Sequence, residues 1–452
     1  MSTSGVLKLV LVAAAIIWYI ILWGLGLLGC WSARKRYRLR PRSPLASAPA
    51  SSVPGVSILR PLKGLDTNLY ENLESTFTQE YPNYELFLCI EDEHDQALSV
   101  VRDLIAKYPS VNAHLVIGAE AVGVNPKVNN LMPSYHQAAH DILWVIDSNV
   151  MVAPGTLARS VDALDSVPAH STRRRIGLVH HVPFAWATEY GVGSRIEEAF
   201  LNTNHAKMYI AINTVAIDSC VVGKSNLYRR SDLERVDGTL KPASTRSGVK
   251  GFPAFGRFLA EDNMIASALW HELGLRHELS CDVAQNAVGR MSLADYVWRR
   301  VRWVRVRKRM VLAATLLEPL TESVLLGVIV ALALRYLLGV SPFLFFPLHI
   351  GLWLAVDFDV YASLAEHPVP ASSRWIFVGS WATRELLALP IWLLAIFGDQ
   401  VEWRGKKYEI MNNGEVRRVT RGSSGGMWSW LRWGSRKEAD DHYEPLAAAA
   451  ED

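Results

Sequence analysis

The alternation of apolar and polar positions divides the chain into three stretches of different character. From Val6 to Cys30 the run is almost unbroken apolar sequence with Lys8 as its one charge, long enough to cross the hydrocarbon layer as a helix. A cleaved signal sequence is the rival reading, but its apolar core is only ~7 to 15 residues long and a small-residue cleavage site follows it, and neither feature is present. Between Val56 and about Leu279, short apolar runs alternate with helix-length amphipathic stretches, the pattern of an α/β sheet. Val56–Leu59, Leu86–Ile90, His114–Ile117 and Ile142–Ile146 are predicted strands, and Tyr70, Leu73 and Phe77 stand at helical spacing after the first. The last third turns apolar again in three runs, roughly Leu317–Leu338, Phe343–Leu364 and Ile376–Phe397, each near the length of a membrane helix.

These patterns give a domain plan: a transmembrane anchor over 1–33, a basic juxtamembrane linker over 34–55 and an α/β catalytic domain over 56–290. A basic amphipathic interfacial helix follows over 291–316, then transmembrane helices over 317–398 and a tail over 399–452, expected to be largely disordered after about 410. Arg34, Lys35, Arg36, Arg38 and Arg40 follow the anchor, so the positive-inside bias puts the catalytic domain in the cytosol and the N-terminus in the lumen. Pro41 to Pro54, rich in Pro, Ser and Ala, reads as the linker. One plus three crossings would leave the C-terminus lumenal, whereas Arg404, Lys406, Lys407, Arg417 and Arg418 favour the cytosol. One of the C-terminal segments is therefore expected to be re-entrant or interfacial.

Composition sharpens the membrane reading. Half of the 452 residues are hydrophobic and 16 are Trp, as suits lipid-dissolved segments with aromatic belts. The net charge of +3 is too small to argue for a nucleic-acid partner. The four cysteines, Cys30, Cys89, Cys220 and Cys281, show no CxxC pair and no metal-ligand rhythm.

The candidate chemistry is acidic. Two predicted strands end in acid, the second in Glu91-Asp92 and the fourth in Asp147-Ser148-Asn149, and in doubly wound sheets ligands bind at the carboxyl ends of strands. Taken singly, each acid is as well read as a turn or cap residue; together they suggest one crevice. Glu261-Asp262 heads a helical run through Met264, Ile265, Ala268 and Leu269, where the helix dipole suits a base as well as a cap. Seven of the eleven residues from Arg299 to Arg309 are Lys or Arg, and Val297, Val301 and Val304 recur on one side, as in a helix lying on an anionic membrane surface. On that reading most of these cations face lipid headgroups, and one arginine is free to bind phosphate.

In order and spacing, Asp92, Asp147-Ser148-Asn149, Glu261-Asp262 and Arg299-x-x-Arg302-Trp303 resemble the three acidic motifs and the (Q/R)xxRW motif of glycosyltransferase family 21, the ceramide glucosyltransferases. Asn125 to Pro133, Gly177 to His180, Cys220 to Gly223, Glu318 to Ser323 and Trp403 to Tyr408 look like the same family, so that the similarity runs from the anchor to about Tyr408. The resemblance implies a GT-A-like nucleotide-sugar-binding fold, UDP-glucose as donor, ceramide as acceptor, a divalent cation (Mg2+ or Mn2+), and a Golgi or endoplasmic-reticulum membrane with the site facing the cytosol. It implies Asp92, Lys127, Asp147 and His205 on the donor side, with Asp147 also the metal ligand. Asp262 is then the general base, with Glu261, Arg299, Arg302 and Trp303 around the reacting groups. A buried structural role fits His205 equally well. The second acidic motif departs from Asp-x-Asp, ending in Asn149, and Gly238–Gly256 looks like an insertion, either an acceptor-site loop or an idle surface excursion.

Three other readings compete. A processive polysaccharide synthase shares the aspartates and the Arg-Trp pair, but has more spans and commonly Gln where this chain has Arg299. A dolichol-phosphate sugar transferase would differ in acceptor alone. A non-catalytic lipid-binding or transport protein could keep the fold, with Asp357 and Asp359 as its intramembrane site.

Overall fold

A computed structural model describes residues 3–166, 174–189, 191–240, 248–403, 406–411 and 414–418; the tail expected to be disordered lies mostly outside them. The strands are β1 (Val56–Leu62), β2 (Tyr84–Ile90), β3 (Ala113–Ile117), β4 (Ile142–Ile146), β5 (Val150–Met151), β6 (Ile176–Ala187), β7 (Ser225–Arg229), β8 (Arg276–Val288), β9 (Gln400–Trp403), β10 (Lys406–Ile410) and β11 (Val416–Arg418). The N-terminal helix is α1 (Thr3–Tyr37), and those of the catalytic part are α2 (Leu69–Phe77), α3 (Ala97–Lys107), α4 (Pro126–Gln137), α5 (Thr156–Asp165), α6 (Val192–Phe200), α7 (Ala206–Val215), α8 (Arg230–Leu233) and α9 (Glu261–His271). After them come α10 (Leu293–Met310), α11 (Leu312–Leu317), α12 (Ser323–Leu338), α13 (Pro342–Ala365) and α14 (Arg374–Ile396).

The first eight strands form one mixed sheet in the order β3-β2-β1-β4-β7-β6-β8-β5. The stretch β3-β2-β1-β4 is parallel, and β7 pairs antiparallel to β4. β1 is buried along its whole length, the condition of a central strand covered on both faces. Side-chain alternation then sorts the residues. Ile58, Leu62, Leu88, Trp144 and Ile146 point to the face covered by Leu73 of α2, Val101 of α3 and Leu157 of α5. Leu59, Phe87, Cys89 and Leu143 point to the other, against Val128 and Leu131 of α4 and Ile265 and Leu269 of α9. Thus β2 and β4, the strands that precede Asp92 and Asp147, flank β1 and end along the same edge of the sheet.

Two helices are long and apolar enough to cross a membrane, α1 and α13, and a third span arises if the bent pair 312–321 and 323–338 is counted as one. The continuous helix expected over Leu317–Leu338 is therefore corrected: the chain turns through a 3-10 segment, Glu318–Thr321, and bends by 67°. Pro319 supplies the reason, since it donates no hydrogen bond and clashes with a preceding helical turn. The run read as a span over Ile376–Phe397 forms α14 but is not among the membrane-length apolar helices; Arg384 and Glu385 stand at its middle, buried together with Glu322.

The basic helix is also corrected. Val301 and Val304 of α10 are buried against Ile196 of α6 and Ile391 and Ala395 of α14, so its apolar side faces protein. Its cations have protein partners. Arg299 pairs with Glu197, Arg307 with Glu318, and Lys308 and Arg309 with Asp399. Lys308 and Arg305 also donate to the carbonyls of Leu394, Ile396 and Gly398 at the end of α14, where a helix presents its negative pole.

The intramembrane acids are likewise engaged. Lys207 Nζ reaches Asp357 Oδ1 at 2.7 Å and Trp381 Nε1 donates to Asp357 Oδ2 at 2.8 Å. Asp359 accepts from Arg34 at 2.5 Å and Arg38 at 3.0 Å. These contacts set the C-terminal half of α13 beside the basic end of α1, so that the two helices run parallel.

Candidate active site

The site grows from the loop before α4. Asn125 is its N-cap, the side-chain oxygen accepting from Lys127 N at 2.9 Å, and Pro126 stands at the first helical position, where its missing N–H costs nothing. The Asn125 amide then donates to Phe258 O and to Glu261 Oε2, both at 2.8 Å. One residue thereby starts α4 and ties it to the start of α9. Lys127, in the first turn of α4, extends between two carboxylates, with Nζ 2.7 Å from Asp147 Oδ1 and 2.9 Å from Glu261 Oε1.

Asp147 follows β4, and its other oxygen is held by Lys224, which precedes β7. Lys224 Nζ lies 3.0 Å from Asp147 Oδ2 and 3.1 Å from Asn149 Oδ1. Antiparallel pairing of β4 with β7 brings them together, as the backbone bond from Asp147 N to Lys224 O shows. Beneath them the buried Arg60 of β1 donates to the carbonyls of Ser148 and Val150, fixing the turn after β4. Asp262 completes the group. Its carboxylate lies over Gly223, where an added Cβ would stand 1.5 Å from Oδ2, so only glycine leaves room for it.

The environment separates the carboxylates electrically. Burial acts to raise the Asp147 carboxyl, but Lys127 and Lys224 outweigh it and hold it down at about 2. Burial, and then the Glu261 carboxylate beside it, push Asp262 up to about 7 against the pull of Lys127. Burial opposes the charge of Lys127, yet Asp147, Glu261 and Asp262 keep its ammonium well above the usual lysine value. Near neutral pH the site thus holds a firmly ionised Asp147 beside an Asp262 poised to take or release a proton.

A second group lies behind Gly223. The Val222 N–H donates to Tyr209 Oη at 3.0 Å, and the Tyr209 ring stacks on His205, with centroids 5.6 Å apart. His205 ends a π-helical turn, Leu201–His205. Burial, then the charges of Arg300, Arg307 and Arg384, push its imidazole down to about 3, so it is neutral. Arg299 pairs with the buried Glu197 at 3.0 Å and stands over the Trp303 ring at 5.1 Å. Trp303 packs against Ala185, Phe200, Leu201 and Val288, and Arg302 is half-buried beside it.

The structure therefore joins Lys127, Asp147, Glu261 and Asp262 directly, and gathers His205, Arg299 and Trp303 into a neighbouring wall. Asp92 is exposed after β2, at the sheet edge it shares with the end of β4, and its Oδ1 accepts from His94 N at 2.9 Å. Asn125, Lys224 and Gly223 were not singled out as site residues from the sequence. The signals available were Asn125-Pro126, a cap followed by proline at a helix start, and the family-like stretch Cys220 to Gly223. Of the insertion, 241–247 lies outside the described residues. Phe252 and Phe255 are buried in the core beside α4 and α9, and Gly256 abuts Gly123. That part is no idle excursion.

A family model described as Glycosyl transferase family 21 matches residues 15–416. The ceramide glucosyltransferase of Komagataella phaffii is 37% identical, covering 90% of this chain and 92% of its own length. That of Candida albicans is 32% identical over 79% of this chain and 86% of its own, and ceramide glucosyltransferase 1 of Caenorhabditis elegans is 31% identical over 82% and 74%. Among solved structures, a mannosyltransferase from Pyrobaculum calidifontis in complex with GDP-Man and Mn2+ is similar at 20% identity and a TM-score of 0.44, covering 86% of this chain and 99% of that one.

Proposed function

The chain belongs to glycosyl transferase family 21, and on that premise we propose that it moves glucose from UDP-glucose to the primary hydroxyl of ceramide with inversion, giving β-glucosylceramide. It is a hexosyltransferase with a GT-A-like mixed sheet and membrane-length apolar helices. The observation that carries the mechanism is Lys127 bridging Asp147 and Glu261 at 2.7 and 2.9 Å, next to an Asp262 carboxyl that burial and Glu261 push up to about 7.

Asp262 acts as general base. A carboxyl near 7 is matched to neutral pH, where it accepts the proton of an attacking hydroxyl most effectively. Glu261, with both oxygens engaged by Lys127 and Asn125, orients the start of α9 and raises Asp262 by its charge. Lys127 and Lys224, both held against Asp147, supply ammonium groups that bind phosphate oxygens as point charges. His205, buried and neutral, supports the wall between these carboxylates and the Arg299-Trp303 group, with Arg302 placed to close on the donor. Asp92 holds the uridine end, from the neighbouring strand.

A divalent cation, Mg2+ or Mn2+, fits the donor set. Asp147 and Asn149 place a carboxylate and an amide oxygen at one strand end, bridged by the Lys224 ammonium that the cation would displace, while among the described residues no group of three or more His, Cys, Asp or Glu converges on a point. Such a set suits an ion that draws its other ligands from phosphates and water. When bound, the ion supplies neutralisation of charge on the departing diphosphate.

For topology we take the bent pair as one crossing. α1, that pair and α13 then make three spans, and the parallel course of α1 and α13 returns the chain to the side of the catalytic domain. We take α14, with Arg384 and Glu385 at its middle, as interfacial rather than crossing, which makes the basic tail cytosolic, as its charge favours. We assign the membrane to the Golgi or endoplasmic reticulum.

The test is a donor-by-acceptor matrix with full-length protein in lipid nanodiscs. UDP-glucose and GDP-mannose are offered against ceramide and dolichyl phosphate, and the product linkage is determined by NMR. A β-linked glucosylceramide is expected. A long polymer or an α-linkage would overturn the assignment. Asp262→Asn should lower kcat by roughly 100-fold or more with little change in donor binding; near-normal turnover would remove Asp262 from the base role.

A further inference from the structure

By sequence α7 belongs to the catalytic domain, yet it packs on the membrane anchor. Lys207, Ala211 and Thr214 stand four and three residues apart and so share one face of α7. That face lies on Gly26, Gly29 and Ser32 of α1. A Cβ on Gly29 would collide with the carbonyl of Lys207 and stand 3.3 Å from the Ala211 Cβ, and a Cβ on Gly26 would meet the Lys207 side chain at 3.7 Å. Thr214 Oγ1 lies 3.2 Å from Ser32 Oγ. Small residues on one side of a helix let two backbones approach closely, the way helices associate in lipid. Gly26 and Gly29 fall inside the apolar run of α1, whose Leu27 and Trp31 are exposed in the same turns.

The other faces of α7 divide between sheet and solvent. Tyr209 and Ile210 are buried with Val182, Leu279 and Val283 of β6 and β8. Met208, Ile212 and Val215, again four and three residues apart, form an outer stripe on which Ile212 and Val215 are exposed, and Ile217 just beyond the helix is 83% exposed. Apolar residues exposed singly are ordinary, but a stripe of them that continues the surface of an apolar span marks a contact. The charge on α7 is disposed as lipid requires. Lys207 is buried and paired with Asp357 of the membrane-length α13 at 2.7 Å, the form in which ionisable groups are tolerated at membrane depth. α6, which runs into α7 through the π-helical turn, carries Arg195, Glu197 and Glu198, so the apolar stripe is confined to α7.

We propose that α7 is embedded in the membrane leaflet on the catalytic side, with Ile212, Val215 and Ile217 against acyl chains. Its 10 residues extend about 15 Å, half of the hydrocarbon thickness, so it enters one leaflet without crossing. The contact ends close to the site. From Ile217 the chain reaches Gly223 in six residues, at most about 22 Å. There the Asp262 carboxylate lies over Gly223, and the Asn263 amide donates to Val221 O at 3.3 Å. The catalytic domain thus holds the membrane through a surface of its own, joined by one short loop to the Asp262 edge.

The experiment places p-benzoyl-phenylalanine at Ile212, Val215 or Ile217 of the full-length protein in phosphatidylcholine vesicles, irradiates it, and weighs the intact chain. Ile20, exposed on α1, is the lipid-facing reference, and the exposed Ser99 of α3 is the aqueous one. All three positions should gain the mass of a phospholipid, as Ile20 does, while Ser99 gains none. A doubled chain mass at these positions would show that a second copy covers the stripe, and overturns the proposal. So does unmodified protein at all three positions in vesicles where Ile20 is labelled. The readout needs no turnover, so its failure is separate from any failure of the donor and acceptor reading.

Discussion

Lys127→Met removes one ammonium that holds two carboxylates and bears on a third. Its Nζ lies 2.7 Å from Asp147 and 2.9 Å from Glu261, and the side chains of Lys127 and Glu261 are only 18% and 8% exposed. Breaking a buried pair from one side costs about 3–5 kcal/mol, because the remaining charge is uncompensated. Lys224 still neutralises Asp147, so the lower end, about 3 kcal/mol, is expected in unfolding. Protonation is the sharper readout. Lys127 draws the Asp262 carboxyl down while burial and Glu261 push it up. Unit charges about 4 Å apart interact by about 4 kcal/mol at an effective dielectric near 20, so even a third of that coupling is worth about one pKa unit. Methionine keeps the stem and loses the charge, so Asp262 rises from about 7 and is mostly protonated at neutral pH. The assay is kcat/KM for ceramide against pH at saturating UDP-glucose, which reports the essential base. Wild-type activity should fall as pH drops below about 7, and in Lys127→Met this acid limb should move up by about one unit or more. A limb that stays in place, in a variant whose thermal unfolding shows that the ion pair is gone, would refute both the electrostatic account and Asp262 as base.

Three further outcomes are expected. Gly223→Ala places a Cβ where Asp262 Oδ2 now lies, at 1.5 Å, so the carboxylate must move; kcat should fall by roughly tenfold or more with the UDP affinity from calorimetry nearly intact, and wild-type turnover would show that the Asp262 position is not critical. Asp357→Asn leaves the Lys207 ammonium buried without its ion-pair partner, lowering stability by about 3–5 kcal/mol, whereas Lys207→Met combined with Asp357→Leu should recover most of the loss, both read by thermal unfolding in nanodiscs. Chelation by EDTA should suppress turnover and added Mn2+ should restore it, with Asp147→Asn needing at least about tenfold more Mn2+ for half-maximal rate; full activity in EDTA would remove the cation from the mechanism.

Strand period and strand-end acids were readable because they are local. Ile142–Ile146 had to be buried on both faces, so it had to be central, and the residue after it had to stand at the sheet edge. Asp262 was readable in the same way, as an acid opening an amphipathic helix. What joins the two was not local. Lys127 is 20 positions from Asp147 and 134 from Glu261 by residue number, and only the docking of α4 against β1 and α9 makes it their common partner. Asn125 and Lys224 escaped notice for that reason. A cap looks alike whether it merely starts a helix or also ties that helix to another.

The basic helix shows the opposite failure, in which a strong local signal pointed to the wrong partner. Seven cations in eleven residues imply an abundant source of negative charge, and a lipid surface is the obvious one. Here the source is internal. Glu197, Glu318 and Asp399 come from three separate segments, and the end of α14 adds carbonyls at its negative pole. Cationic density along a sequence fixes how much opposite charge must be nearby, but it carries no information on whether protein or lipid provides it. The difference has a functional consequence, because a helix held by protein on its charged and apolar sides can keep Arg299 and Trp303 at a fixed place beside the site.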